Sequence, residues 1–367
     1  MSKNLKNAER RTPNAVQRSG LNSNLTKAKK AKNDEFYTQY HDIQKEIQAY
    51  LDFNPDVFRG KTILLPCDDP EWSNFTRYFA QNFERFGLKK LISTSYAAES
   101  KNIKFPYQPS LFETESPHFD KAKTAVKGKI FILDKDSNKS GKIDIDDLQW
   151  DYLKGDGDFR SSEVKALRDE ADFIITNPPF SLFREFLAWI TEADKKFVIN
   201  ANMNAITYKD SFKQIQQNKL WLGASGCTAR TYKTLSGQDF KMGNTTWFTN
   251  VDHGKRHQPL KLMTMADNLK FSRHKEIKEK GYQKYDNYDA IEVPFTDAIP
   301  SDYDGVMGVP ISFLDKYCPE QFEIIWTTDR GGDGYLNQYK KTHTRYDAPV
   351  LEGKGIYKRI IIKRKTL

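Results

Sequence analysis

Residues 172–183 read DFIITNPPFSLF, and this stretch decides the fold. Asp172 to Thr176 is a short apolar run of strand type, and a helical pattern of apolar residues begins at Ser181 and continues to Ile190. Asn177-Pro178-Pro179-Phe180 belongs to neither element. Two adjacent prolines remove two backbone donors and hold the turn extended, with carbonyls that no helix claims. With Pro at about one residue in twenty, such a four-residue pattern arises by chance in roughly one chain in a hundred of this length, so it is informative. Its bland reading is a rigid strand-to-helix connection. Its chemical reading starts from the exocyclic amino group of a nucleobase, whose lone pair is delocalised into the ring. Two acceptors, the Asn177 side-chain oxygen and the Pro178 carbonyl, would favour pyramidalisation and free that lone pair for attack on a methyl sulfonium. Phe180 would offer a flat face for stacking the base, which must leave a duplex to be reached.

Working outward, Lys61 to Pro66 (KTILLP) predicts a strand, Ser73 to Phe86 a helix and Leu88 to Thr94 a second strand. On the other side, Lys196 to Ala201 (KFVINA) predicts a strand and Thr207 to Gln217 a helix, with Thr207 and Asp210 as its start signal. Strands alternating with helices predict an α/β fold, a parallel sheet covered on both faces. Ligands then bind beyond the carboxyl ends of the strands, in the loops after Pro66, Thr94 and Thr176.

The first of these loops is Cys67-Asp68-Asp69-Pro70. It lacks glycine, and two acids would repel a pyrophosphate, so it is not a dinucleotide loop. Acids there suit a cofactor with a cationic centre and a free ammonium, namely S-adenosylmethionine; the competing reading is compensation of a helix dipole. Asp156 to Phe159 (DGDF) offers Asp158 as an acceptor for the amino group of a nucleotide-like cofactor, with Phe159 beside the ring. A turn followed by a helix cap at Ser161 or Ser162 explains the same residues equally well. Asp134 to Asp147 imitates a calcium loop, but Lys139 stands where that loop needs glycine, and a β-hairpin is preferred. His253 and His257 read as loop histidines near phosphate, and no metal site is expected.

The 367 residues carry a formal net charge of +9, with 38% hydrophobic residues and three widely spaced cysteines. No apolar run reaches membrane-spanning length and the polar start does not resemble a secretory signal, so a cytoplasmic protein is expected, without a disulfide framework. The charge is unevenly placed. Residues 1–33 hold nine basic side chains against Glu9, residues 354–367 hold six and no acid, and residues 34–353 have 43 bases and 48 acids. Residues 1–33 are expected to form a flexible, DNA-contacting arm.

The ordered set Asp34-Glu35-Phe36-Tyr37-Thr38-Gln39, LLPCDDP with SNF, GDGDFRSSE (155–163), TNPPFSLF (176–183), YDNYDAI (285–291) and YDGVMGVP (303–310) closely resembles the EcoRI-type adenine-specific DNA methyltransferases, from about residue 27 to about 325. That resemblance implies a class I S-adenosylmethionine-dependent fold with a Rossmann-like mixed sheet. It also implies transfer to adenine N6 in double-stranded DNA, action as a monomer, and a cognate restriction endonuclease as a candidate partner. Asn177, Pro178, Pro179 and Phe180 would be catalytic. Phe36, Tyr37 and Thr38 would contact the cofactor together with Cys67, Asp68, Asp69, Pro70, Asp158, Phe159 and Asn177. Three features depart from the usual pattern: Gln39 follows Thr38 where proline is common, CDDP replaces a glycine-rich loop, and Ser93 to Ala97 lacks the acid that ends the second strand.

The expected organisation is an arm (1–33), a catalytic domain (34–220, with a hairpin insertion at about 128–148), a loop-rich target-recognition region (221–353) that partly continues the catalytic sheet, and a basic C-terminal strand (354–367). Methyl transfer to RNA or protein, or a non-catalytic DNA-binding relative, are the alternatives. Deleting residues 2–33 is expected to weaken DNA binding and flatten its salt dependence while cofactor binding persists; an unchanged salt slope would reduce the arm to a solvated tail.

Overall fold

The computed structural model describes residues 38–69, 73–97, 119–136, 139–143, 147, 149–226, 228–233, 239–328 and 348–365. The arm at residues 1–33, Phe36, Tyr37 and Pro70 lie outside the described residues.

The chain enters through helix α1 (Tyr40–Phe53), whose Ile43, Ile47, Tyr50 and Leu51 are buried. Strand β1 (Thr62–Leu65) follows, buried at all four positions as a central parallel strand must be. Ser73 caps α2 (Asn74–Gln81) by accepting from the Phe75 amide. The single helix expected over Ser73–Phe86 is broken at Asn82, with α3 (Phe83–Phe86) beyond it. The Asn82 side chain donates to the Tyr78 carbonyl at 2.8 Å, taking the acceptor that the continuing helix would have used. β2 (Lys90–Thr94), α4 (Lys121–Val126), β3 (Lys129–Leu133), β4 (Gln149–Tyr152) and α5 (Ser162–Glu170) lead to β5 (Phe173–Thr176). A 3-10 turn at Phe180–Leu182 and α6 (Phe183–Glu192) then precede β6 (Lys196–Asn202). α7 (Lys209–Gln216) starts later than expected, with Tyr208 in the cap position. The Thr207 hydroxyl is not its cap; it donates to the Asn204 carbonyl, closing a 3-10 turn over Met203–Thr207.

With β7 (Trp221–Leu222), β8 (Thr228–Lys233) and β9 (Asp239–Thr249), the first sheet has the order β4-β3-β2-β1-β5-β6-β9-β7, and β8 pairs with β9. β2, β1, β5 and β6 are parallel. β3, β4, β7 and β9 join antiparallel, so the sheet is mixed rather than wholly parallel. β3 and β4 form the hairpin expected in place of a calcium loop, and within its connection Asp136 accepts from the amides of Ser140 and Gly141. Alternation along the strands divides the core. Ile63, Leu65, Ile175 and Val198 pack toward α1 and α2, while Leu64, Ile174, Phe197 and Ile199 pack toward α6, α7 and a second sheet. α1 is anchored by Glu46, whose buried carboxylate accepts from the amides of Ala224 and Ser225 and from the Tyr50 hydroxyl.

After α8 (Met265–Phe271) and α9 (Lys275–Lys280), the second sheet contains β10 (Ile291–Glu292), β11 (Val306–Val309) and β12 (Phe322–Thr327). A short pair, β13 (Val350–Leu351) and β14 (Lys354–Gly355), precedes β15 (Ile360–Arg364), which lies between β11 and β12. The stretches 285–291 and 303–310 contribute to this sheet, the first leading into β10 and the second containing β11. Tyr285 and Arg359 both hold the Glu292 carboxylate, and Asn287 binds the Ala348 carbonyl and the Val350 amide. Gly308 lets the Tyr285 ring approach its backbone, since a Cβ there would lie 2.1 Å from the Tyr285 hydroxyl oxygen. Among the described residues, no helix is long and apolar enough to cross a membrane.

The GDGD loop after β4 packs backbone to backbone against the end of β2. Ala97 donates to the Asp156 carbonyl at 2.7 Å, and Gly157 has φ 82° with its α-carbon facing the Ser95 carbonyl. A Cβ on Gly157 would meet that oxygen at 2.1 Å, whereas one on Gly155 finds nothing nearer than 3.8 Å. Gly157→Ala is therefore expected to lose stability of order 1–3 kcal/mol from backbone conformation alone. Urea unfolding should show this loss, with Gly155→Ala close to the parent; equal stability of both variants would contradict this packing.

Candidate active site

The sheet order reverses direction at β1, whose neighbours are β2 on one side and β5 on the other. The crevice beyond the carboxyl ends at such a point is where open α/β sheets hold ligands. The loops that meet there are Cys67–Asp69 after β1 and Asn177–Phe180 after β5, the two stretches singled out by residue chemistry.

Asp68 joins them. It is only 5% exposed, and its carboxylate accepts from the Ser73 hydroxyl at 2.6 Å and the Thr176 hydroxyl at 2.6 Å. Its backbone is tied to β2: the amide donates to the Thr94 carbonyl and the carbonyl accepts from the Ser93 hydroxyl at 2.7 Å. Ser93 is in turn hydrogen-bonded to Thr76 on α2. The Asp68 side chain is thus turned into the junction of β1, β2, β5 and α2, where it fixes the loops. Removing this acceptor would leave two buried hydroxyls unmatched, at a cost of about 1–3 kcal/mol for each.

Thr38 sits against the same junction, because its carbonyl accepts from the Asn74 side chain at 2.8 Å, one residue beyond the Ser73 cap. Its hydroxyl oxygen and the Gln39 side-chain nitrogen are buried with no hydrogen-bond partner among the described residues. Buried polar atoms are nearly always satisfied, so these two suit a polar ligand lying over the end of β1. Cys67 and Asp69 are both half-buried on either side of Asp68. Thr38, Asp68 and Asn177 are therefore brought to one place.

In the turn itself, Pro178 is buried while Asn177, Pro179 and Phe180 are half-buried. The two proline carbonyls differ. That of Pro179 accepts from the Leu182 amide at 2.9 Å, closing the 3-10 turn; that of Pro178 accepts no hydrogen bond among the described residues, leaving it open to an incoming donor. Phe180 meets Tyr232 edge to face at 6.4 Å between ring centroids.

Asp158 and Phe159 sit deeper than the sequence suggests. The Asp158 carboxylate is forked by Arg160 at 2.9 and 2.6 Å and also accepts the Arg160 amide. The Arg160 hydrogen bond holds its pKa below the usual carboxylate value. Arg160 also reaches Glu185 on α6, bridging the GDGD loop to the helix after the turn. Phe159 is buried edge-on against Phe186 and Trp189, so its ring belongs to the core. The helix-cap reading of this stretch also holds, since Ser161 accepts from the Val164 amide.

His253 and His257 are not available to phosphate in the way expected. His253 is buried with Nε2 against the Leu222 carbonyl, and His257 lies between the carboxylates of Asp252 and Glu320. Two residues near the site do not stand out from sequence. Arg160 is one. Asn200 is the other: it is fully buried on β6, accepts from the Tyr232 hydroxyl at 2.7 Å, and keeps a buried Nδ2 without a partner among the described residues. A lone amide inside the apolar run KFVINA is the signal that could have found it.

Comparisons with known proteins identify the family of the whole chain. A family model described as adenine-specific methyltransferase EcoRI matches residues 24–365. The chain is 40% identical to the type II methyltransferase M.EcoRI of Escherichia coli, with 95% of this chain and 99% of that one covered. It is 32% identical to the type II methyltransferase M.MpnI of Mycoplasma pneumoniae, covering 93% and 98% respectively. It is 31% identical to M.MgeORF184P of Mycoplasma genitalium over 94% and 99%. No solved structure gives a significant match. A match across nearly the whole chain, with its turn and loops assembled at the switch point, shows that this protein belongs to the EcoRI-type adenine-specific methyltransferase family.

Proposed function

We propose that the enzyme transfers a methyl group from S-adenosylmethionine to N6 of an adenine turned out of duplex DNA. The observation that carries this reading is the position of Asn177-Pro178-Pro179-Phe180 at the switch point, tied through Thr176 and Asp68 to the loop after β1. When bound, the cofactor supplies an electrophilic methyl group on sulfur. Thr38 and Gln39 offer it buried polar atoms, and the loop containing Cys67 and Asp69 borders the same crevice. The Asn177 side-chain oxygen and the Pro178 carbonyl accept the two amino hydrogens, which turns the nitrogen lone pair toward the methyl carbon. Asn177 and Pro178 would keep the amino hydrogens in hand during transfer, and a proton from the methylated, cationic nitrogen would pass to solvent without need of a strong base among these residues. Phe180 stacks the extruded base, and Tyr232 buttresses Phe180 from its edge. Asp158, held ionised by Arg160, retains acceptor capacity on the GDGD loop for a cofactor amino group.

Two substitutions separate chemistry from architecture. Asn177→Ala is expected to abolish methyl transfer to DNA while the chain stays folded, with a thermal unfolding midpoint near the parent; substantial turnover would sink the assignment. Asp68→Ala is expected to lower the unfolding midpoint together with activity, because it removes an acceptor from two buried hydroxyls. Unchanged stability in that variant would contradict the structural role of Asp68.

A further inference from the structure

The C-terminal strand is more than a charged tail, because it delivers a cation to the rim of the active site. Lys358 lies just before β15, and its ammonium reaches the Thr207 hydroxyl at 3.4 Å, across 151 positions of sequence. Thr207 closes the turn that follows β6, on the carboxyl edge of the first sheet. The adjoining Tyr208 carries a second cation: the guanidinium carbon of Arg184 stands 4.2 Å from the centroid of its ring. Arg184 is the second residue of α6, four positions after Phe180. Two cations from distant parts of the chain therefore converge on the Thr207–Tyr208 corner, beside the turn that contains Asn177.

This corner is built rather than loose. Arg359 is clamped by Glu292 and donates back to the carbonyls of Tyr357 and Lys358, which fixes the backbone from which Lys358 projects. The neighbouring Tyr357 is 66% exposed. Arg184 is exposed and has no carboxylate partner among the described residues, unlike Arg160, which is held by Asp158 and Glu185. Stacking on Tyr208 orients the guanidinium without neutralising it. An exposed, oriented and uncompensated cation beside a base-accepting turn fits a phosphodiester.

Resting on the reading of the site as one that takes a base from DNA, we infer that Arg184 and Lys358 form a phosphate clamp on the strand that presents the target base. The clamp holds the backbone next to the extruded nucleotide, and it gives the second sheet a direct part in substrate binding through residues 357–359.

The test is the salt dependence of duplex binding by the full chain with a non-reactive cofactor analogue, followed by fluorescence anisotropy from about 50 to about 200 mM salt. Arg184→Gln and Lys358→Gln should each reduce the slope of log affinity against log salt by about 0.9, and the double variant by about twice that. Arg184→Lys should restore most of the slope. Lys61→Gln removes the same charge at the amino end of β1, on the opposite edge of the sheet, and should leave the slope unchanged. A double variant with the parental slope, or an equal loss in Lys61→Gln, would overturn the clamp. If the parent methylates DNA while the double variant keeps its slope, the clamp alone fails. If the slopes fall as stated while the parent methylates no DNA, the clamp stands and the methylation reading fails.

Discussion

One buried carboxylate ties together the loops at the switch point of the first sheet. Asp68 accepts from Ser73 at the start of α2 and from Thr176 at the end of β5, and its own backbone bonds both ways with β2. Four elements are therefore linked through one residue at the crevice. A glycine-rich loop would shape that crevice by backbone conformation; here hydrogen bonds from side chains do it. The consequence is mechanical. The loop after β1 and the turn after β5 are joined through Thr176, the residue immediately before Asn177. The acids of the CDDP loop divide accordingly, with Asp68 facing inward as a joint and Asp69 left nearer the surface.

The order of strands and helices is legible in the sequence because central parallel strands are buried at every position and so mostly apolar, as β1 and β5 are, with a threonine at one end of each. The turn is legible because two consecutive prolines can continue neither the strand before them nor the helix after them, so they mark the boundary between the two. What cannot be read is set by tertiary competition for hydrogen bonds. Asn82 divides a helix by claiming the Tyr78 carbonyl, and Thr207 is diverted from capping by the Asn204 carbonyl. The burial of Phe159 and the reach of Arg160 to Glu185 depend on α6 lying above them, a contact that spacing alone does not specify. His253 and His257 have the sequence surroundings of loop residues, yet the Leu222 carbonyl and the Glu320 carboxylate reach them from other parts of the chain.

The distribution of charge acquires a structural meaning from β15. The basic segment at the C-terminus is the inner strand of a four-stranded sheet, and the side chain of Arg359 is part of its core with Glu292 and Tyr285. Some of its positive charge is therefore internal and paired, which the net figure of +9 conceals. The YDNYDAI and YDGVMGVP stretches serve the same sheet, and through Lys358 that sheet reaches the loop after β6.

Methyl transfer to adenine N6 in DNA at the turn containing Asn177 is the proposed reaction. The most direct measurement is a map of N6-methyladenine across the DNA of a host that expresses the protein, read against a host expressing Asn177→Ala. The account predicts N6-methyladenine at every copy of one short sequence in the first host and none above background in the second. Label confined to RNA or protein, or the same methylation pattern in both hosts, would contradict it.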